Sequence, residues 1–443
     1  MLAALRLDSG PPGFYVLEKP FAALAESSGD AGWLLRLPSF AAALAILAAT
    51  RTLPRGVCRR VFVGLASCAL LLTLYAAEAR PYALLGVFGL AAFLLTLTGD
   101  ETPSRLVAGA AAAAAALYCH YLAIFSVAAL VLLALGARRF RSAVALAAGA
   151  AVFIPWLPVL RGQPPEATGW MRESVSGSVA GFLSALGGVG RVPGPFGGPP
   201  PTAVFLAGVA AGIVLLGALA HAAVARRDVE VRRALVFTVL VLGGALCAGA
   251  WRPVAFAGRT EMAVLPVWVW GVARAAGESR TSRGGGAAAA LFGVAATCAV
   301  VLRPAAIPAG DVTAALLATA RPADVVVAAG GFYLPLRLEA ERGRLPARVR
   351  ALPREIEAHP GWFIPALPAD ADARAIVQEL AGLPAGGRLF LVIPPPYATP
   401  ALMDSLRASG RVRELARSRD VVVMQQTRNP DSREGPSGPG RSR

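Results

Sequence analysis

Lysine is nearly missing from this sequence. Lys19 is the only one, although lysine and arginine together number 43. The net charge of +16 and isoelectric point near 10.9 therefore do not mark a nucleic-acid binder. The arginine bias, with an excess of Ala, Gly and Pro, indicates GC-rich coding, and many arginines cluster in short loops between apolar runs, as on a cytoplasmic membrane face. Cysteine is also sparse. Cys58, Cys68, Cys119, Cys247 and Cys298 mostly lie in or beside apolar runs, with no metal-ligand spacing among them. They read as small hydrophobes, which argues against a disulfide framework. No GxGxxG or GxxxxGK surrounds Gly330-Gly331, so a nucleotide phosphate loop is not expected there. Met1 to Gly10 carries Arg6 and Asp8 and has no apolar core segment, so insertion is expected from internal spans and not from a cleavable leader.

What is abundant is apolar length. The chain has 443 residues, 56% of them hydrophobic, and a mean hydropathy of +0.58. Apolar runs approach the roughly 20 residues that a bilayer span needs. Ten spans are expected, near Leu34–Thr50, Val61–Ala77, Tyr82–Thr98, Leu106–Leu117, Tyr121–Gly136, Ala143–Leu160, Thr202–Ala225, Ala234–Ala250, Met262–Ala273 and Ala287–Leu302. Apart from Arg36, near the start of the first, these interiors hold no Asp, Glu, Lys or Arg. An ion-coupled carrier usually needs such a residue near the midplane, and no inverted repeat of broken helices is visible, so a transporter is the weaker reading.

Loop charge sets the expected orientation. Arg51, Arg55, Arg59, Arg60, Arg138, Arg139, Arg141, Arg226, Arg227, Arg232, Arg233, Arg274, Arg280 and Arg283 fall in loops of one parity, and fewer arginines for the length fall in the other. The positive-inside rule then places Glu78–Pro81, His120, Arg161–Pro201 and Arg252–Glu261 outside the cytoplasm, together with the N-terminal loop and the C-terminal domain. Asp8, Glu18, Lys19, Glu78, Arg80, His120 and Arg259 converge on that face. The stretch Glu78-Ala79-Arg80-Pro81-Tyr82 joins two spans. A carboxylate and a guanidinium at a helix N-terminus suit a phosphate and a metal or hydroxyl, whereas an interfacial charge pair that only fixes helix depth is the plainer alternative.

Residues Asp8 to Phe21 read as a Pro-rich loop followed by a short interfacial helix, bent at Pro20. Arg161–Pro201, rich in Gly and Pro, reads as a surface loop or lid, with a disordered linker as the equal alternative. Beyond Arg303 the chain turns soluble. Asp324–Val327, Arg388–Ile393 and Asp420–Met424 read as core strands, and Asp311–Ala320 and Tyr333–Arg342 as helices. The expected fold is a mainly α transmembrane bundle over residues 1–303 with a small α/β extracytoplasmic domain over 304–428. A disordered tail is expected over 429–443.

The motifs point to a family. Ala77-Glu78-Ala79-Arg80-Pro81-Tyr82-Ala83-Leu84 resembles the "QEARPYAL" motif of bacterial GT-C membrane glycosyltransferases, similar to glycosyltransferase family 39 of the protein mannosyltransferase and aminoarabinose-transferase type. Leu7-Asp8-Ser9-Gly10-Pro11-Pro12-Gly13-Phe14-Tyr15 resembles that group's "D-x-x-PPLYY" segment. Leu35-Arg36-Leu37-Pro38-Ser39 resembles its "LRLPS", and Tyr118-Cys119-His120-Tyr121 its "Y-x-H-Y" turn. Order and spacing agree. The resemblance is good from Leu7 to Leu160 and loose beyond.

The resemblance implies a sugar carried on a polyprenyl phosphate and a site opening at the extracytoplasmic surface of a bacterial inner membrane. An acidic base would act on the acceptor hydroxyl, and basic residues, with or without a divalent metal, on the leaving phosphate. The family normally has a span and an Asp-Glu pair before the point where this sequence begins, and a start truncated relative to the family is the expectation. On this basis Asp8 and Glu78 are the candidate catalytic residues. Arg80, Lys19 and Arg259 are candidates for the donor phosphate, Tyr82, His120 and Tyr121 for substrate, and Glu78 and His120 for a divalent metal. A catalytically inactive membrane scaffold of the same family is the alternative to the enzyme.

Overall fold

In a computed structural model of the protein, the described residues are 10–28, 32–163, 173–191, 200–225, 227–277, 292–299, 309–329, 332–352, 354–358, 374–376, 378–379, 382–384, 386–393, 400–418 and 421–428. The chain divides into two compact units, Met1–Pro304 and Ala305–Arg443. The expected tail from Asn429 lies outside the described residues.

The first unit is helical. In chain order its helices are α1 (Gly13–Ser28), α2 (Leu37–Ala48), α3 (Val57–Cys68), α4 (Leu70–Ala76), α5 (Tyr82–Leu97), α6 (Pro103–Cys119), α7 (Ala123–Gly136), α8 (Phe140–Ala151), α9 (Leu157–Gly162), α10 (Val175–Leu186), α11 (Thr202–Ala225), α12 (Val229–Gly249) and α13 (Leu265–Gly277), with residues 292–299 forming α14. Local chemistry marks their starts. Pro81 precedes α5 at its N-cap, and its carbonyl accepts from Leu85 N at 2.8 Å. Thr102 caps α6 with Pro103 behind it. Asp228 caps α12 by accepting from Glu230 N and Val231 N.

The count of ten spans is not confirmed, and the expected span Ala287–Leu302 lies partly outside the described residues. Among the described residues, four helices or helix runs are long and apolar enough to cross a membrane: Leu34–Thr52, Phe140–Gly162, Thr202–Ala225 and Val229–Gly249. A fifth is α3 with α4, if that pair is one span bent by 65°. The helices at Tyr82–Leu97, Ala123–Gly136 and Val175–Leu186 are apolar but shorter.

The bend is at Ala69, whose φ of −56° and ψ of 117° leave the helical region. The displaced Leu70 amide donates instead to Gly188 O at 2.9 Å. That carbonyl comes from the stretch expected to be a surface loop. The expectation is corrected for residues 175–186, which form helix α10 packed against α11. Small residues make the packing close: a Cβ on Gly187 would lie 1.9 Å from Gly208 O, and one on Gly181 2.3 Å from Ala257 Cβ.

The second unit holds a five-stranded sheet in the order β2-β1-β3-β5-β4. The strands are β1 (Val325–Ala329), β2 (Arg348–Leu352), β3 (Leu389–Ile393), β4 (Gly410–Ser418) and β5 (Val421–Arg428). β1 runs parallel to β2 and β3, and β5 runs antiparallel to β3 and β4. β1 and β3 are buried throughout, as unbroken apolar strands in a covered sheet should be. The buried Asp324 pairs with the Arg388 guanidinium at 2.7 Å and accepts from Arg388 N at 2.8 Å, tying the entrance of β1 to that of β3. Helices Ala309–Thr319 and Tyr333–Glu341 form close to where the sequence indicates.

Candidate active site

The turn from α4 to α5 carries Glu78 and Arg80. Arg80 Nε lies 3.5 Å from Glu78 Oε2, and each side chain is 37% exposed, so the pair is open to solvent and weak. Arg80 O accepts from Ser39 Oγ at 2.9 Å, and Ser39 is fully buried. The Leu35–Ser39 segment is therefore fastened to the Glu78–Tyr82 segment across some forty residues of chain.

Tyr82 opens α5 and faces inward. Its ring lies 4.9 Å from the His120 imidazole and 4.4 Å from the Tyr75 ring, centre to centre. The Arg259 guanidinium stands 5.7 Å from the Tyr82 ring and 5.6 Å from the Phe256 ring. Aromatic faces hold a guanidinium by their quadrupole, and they do so more strongly where water is excluded. Arg259 is only 8% exposed.

The turn that presents Arg259 is built around Gly258. Gly258 has φ of +93°, which suits glycine alone without strain. Its carbonyl accepts from the Tyr75 hydroxyl at 2.6 Å, and its N–H donates to both oxygens of Glu261 at 2.8 and 2.9 Å. Thr260 Oγ1 accepts from Phe256 N at 3.0 Å. Glu173 reaches the same turn from the stretch before α10, accepting from Ala257 N at 3.2 Å while paired with Arg191. Burial pushes the Glu261 carboxyl up to about 7 despite these hydrogen bonds, with the Glu173 charge adding to the push. Glu78, Arg259 and Glu261 all lie within electrostatic range of the Tyr75 hydroxyl.

His120 ends α6. Its Nδ1 accepts from Leu122 N at 3.1 Å, so in the neutral ring Nε2 carries the proton and can donate. Burial, with Arg259 nearby, holds its pKa down to about 3, although an edge of the residue remains accessible. The Gly10–Tyr15 segment packs on the same turn: a Cβ on Gly13 would meet Tyr118 O at 2.5 Å.

Two spaces adjoin this cluster. An apolar groove of about 210 Å³ is lined by Phe40, Leu47, Leu72, Thr73, Ala76 and Ala83, so it ends on both sides of the Glu78–Tyr82 turn. A half-polar cavity of about 340 Å³ is lined by Glu173, Ser178, Trp251, Arg252 and Ala255, on the far side of the Arg259 turn.

Two solved structures share the architecture. ArnT from Cupriavidus metallidurans in the apo state superposes with a TM-score of 0.56 at 13% identity, covering 95% of this chain and 88% of that one. ArnT from the same organism bound to undecaprenyl phosphate gives 0.54 at 13% identity, covering 94% of this chain and 88% of that one. This chain has an ArnT-like fold. No family model and no curated protein matches the sequence.

Within the ArnT-like first unit, Tyr82, His120 and Arg259 form one cluster, with Glu78 and Arg80 on its adjoining turn. Tyr121 is directed elsewhere: its hydroxyl accepts from Trp156 Nε1 at 2.9 Å, and its ring meets Phe153 edge-on. Lys19 is exposed on α1. Its neighbour Glu18 has Oε1 buried with no hydrogen-bond partner among the described residues, and burial pushes its carboxyl up to about 7. Asp8 lies outside the described residues.

The metal assignment to Glu78 and His120 fits the donors poorly. No three His, Cys, Asp or Glu side chains gather among the described residues. His120 Nδ1 already accepts a hydrogen bond, and Glu78 faces Arg80.

Sequence reasoning missed Tyr75, Gly258, Glu173 and Glu261. Glu261 follows two residues after Arg259, and an acid just before an apolar run was the available signal.

Proposed function

We propose that the chain is a GT-C-type membrane glycosyltransferase that moves a sugar from a polyprenyl-phosphate donor to an extracytoplasmic acceptor. The observation that carries this reading is the meeting of a guarded cation, Arg259, with Tyr82, His120 and the Glu78–Arg80 turn at the end of an apolar groove. A polyprenyl tail suits the groove, whose lining reaches Ala76 and Ala83 on either side of the turn that carries Arg80, and this supports Arg80 and Arg259 as partners of the phosphate. The fold shared with a protein solved with undecaprenyl phosphate supports the same donor class.

The chemistry follows from the side chains. In transfer, negative charge grows on the phosphate oxygen as the bond to the sugar breaks. Arg259, nearly dry and fixed between two rings, offsets that charge without reorganising. Arg80 adds a more mobile, solvated cation. Neutral His120 donates from Nε2 to a sugar hydroxyl or a phosphate oxygen. The acceptor proton goes to a carboxylate. Glu78, on the turn that adjoins Tyr82, is the carboxylate nearest the cluster among the candidates. Asp8 is a further candidate for this role. The loop-arginine asymmetry supports a site facing away from the cytoplasm in a bacterial inner membrane, with the C-terminal unit on that same side.

The test uses the full chain in vesicles of a total bacterial envelope extract, which supplies both polyprenyl-phosphate sugars and hydroxyl-bearing lipid and glycan acceptors, following the release of polyprenyl phosphate together with the glycosylated acceptor. Wild type should consume the donor, and Arg259→Ala should lose about a hundredfold or more in rate, the scale of removing one preorganised charge partner. An unchanged rate in Arg259→Ala removes that residue from the mechanism. A wild type that binds donor but never consumes it supports the inactive scaffold.

A further inference from the structure

The first unit carries a second charged cluster at the end opposite Tyr82 and His120. Helix α5 begins at Tyr82 and ends at Leu97, α6 runs back from Pro103 towards His120, and α7 returns from Ala123 to Gly136. Helices α8 and α12 start beside these ends, at Phe140 and Val229. Arg105, Arg139, Arg141 and Arg233 gather there.

The acids at this end, Glu101, Glu230 and the exposed Asp100, are fewer than the arginines. Glu101 Oε1 accepts from Ser142 N at 2.9 Å and from Ser142 Oγ at 2.5 Å, bonds that hold its carboxyl below the usual range. Arg139 Nε lies 3.8 Å from the same oxygen, beyond hydrogen-bond distance. Arg139 Nε and Nη2 are buried with no hydrogen-bond partner among the described residues. Glu230 is paired with Arg274 at 3.0 Å. Arg105 donates to Leu94 O and Thr98 O, and Arg233 to Leu97 O, so carbonyls at the α5 C-terminus take part of the charge. Arg139 is close enough to Arg233 for their charges to oppose each other.

The rim of the cluster is apolar and exposed. Val107 on α6, Leu135 on α7, and Phe140 and Val144 on α8 are all exposed hydrophobics beside the arginines. Bilayer lipid meets these faces in any case, and a free anion would engage the arginines alone. A lipid would cover both features at once.

We propose that this cluster binds the phosphodiester headgroup of an anionic phospholipid in the leaflet opposite the candidate active site. The arginines take the phosphate, and its acyl chains lie along the outward faces of α6, α7 and α8. Basic pockets between helices at a membrane surface suit such headgroups. The proposal does not depend on the enzymatic reading.

Its test is lipid retention by the full-length protein in neutral detergent, read by native mass spectrometry and by thermal midpoint. The probes are phosphatidylglycerol, phosphatidylcholine and inorganic phosphate. Phosphatidylglycerol should be retained by wild type in preference to phosphatidylcholine and should raise the midpoint. The double variant Arg139→Gln, Arg233→Gln should hold it roughly tenfold or more weakly. Equal retention of the two lipids by wild type, which needs no variant to fold, overturns the proposal. So does undiminished preference in the double variant. Equal stabilisation by inorganic phosphate reassigns the cluster to a free anion and also overturns the lipid.

Discussion

Arg259 is held by two rings and by the turn that carries it, and at that scale its charge and its shape can be separated. Arg259→Lys keeps the charge but loses the planar face that lies against Tyr82 and Phe256. Donor turnover should fall about tenfold in Arg259→Lys, less than in Arg259→Ala, and comparison of their rates checks this. Glu261 and His120 give opposite pH signatures. The Glu261 carboxyl sits near 7 in the fold against 4.5 for the free group, so its contribution to stability is fullest below about 4.5 and declines as pH rises through 7. The thermal midpoint of wild type relative to Glu261→Gln should therefore fall between pH 5 and pH 8. His120 sits near 3 against 6.5, so its stabilising contribution is present above 6.5 and is lost as pH falls towards 3. His120→Gln should flatten that acid-side loss, measured as midpoints between pH 7 and pH 4.

At the scale of elements, the account rests on tight joints between segments distant in sequence. Gly258→Ala forces a side chain into a positive-φ turn, at a cost of roughly 1–2 kcal/mol, and should lower activity by displacing Arg259. Gly187→Ala meets the Gly208 carbonyl and should cost about 1–3 kcal/mol, visible as a lower thermal midpoint.

The sequence made several of these joints legible. The Gly10–Tyr15, Leu35–Ser39, Glu78–Tyr82 and Tyr118–Tyr121 segments were readable because short polar and aromatic groups interrupt long apolar runs. The structure links the first to the fourth through Gly13, the second to the third through Ser39, and the third to the fourth through Tyr82 and His120. The break at Ala69 was not legible, because Val61–Ala77 holds no Pro and its one glycine, Gly64, lies five residues before the break; a carbonyl from Gly188 stabilises it from outside. Helix α10 was hidden by glycines that read as loop residues until another helix packs on them. β2 and β4 escaped notice because their arginines mask the alternation of apolar residues. Glu173 and Glu261 were invisible as partners because each is a single acid, and only tertiary contact brings them to one turn.

For the whole molecule, the two ends of the helical unit differ in chemistry. One gathers aromatics, Arg259 and the Glu78–Arg80 turn. The other gathers arginines around Glu101. A membrane holding the chain in the orientation that the arginine loops favour puts the first end outside. In a chain whose five native cysteines are replaced, Glu78→Cys should label from outside intact cells, and Arg138→Cys only after permeabilisation. The reverse pattern contradicts the orientation.

The most direct measurement of the central claim is binding of polyprenyl phosphate compared with the corresponding polyprenol, for wild type and Arg259→Ala. Wild type should prefer the phosphate by about tenfold or more, roughly 1.4 kcal/mol, and Arg259→Ala should erase most of that preference. Equal affinity of wild type for the two lipids, or an undiminished preference in the variant, would contradict it.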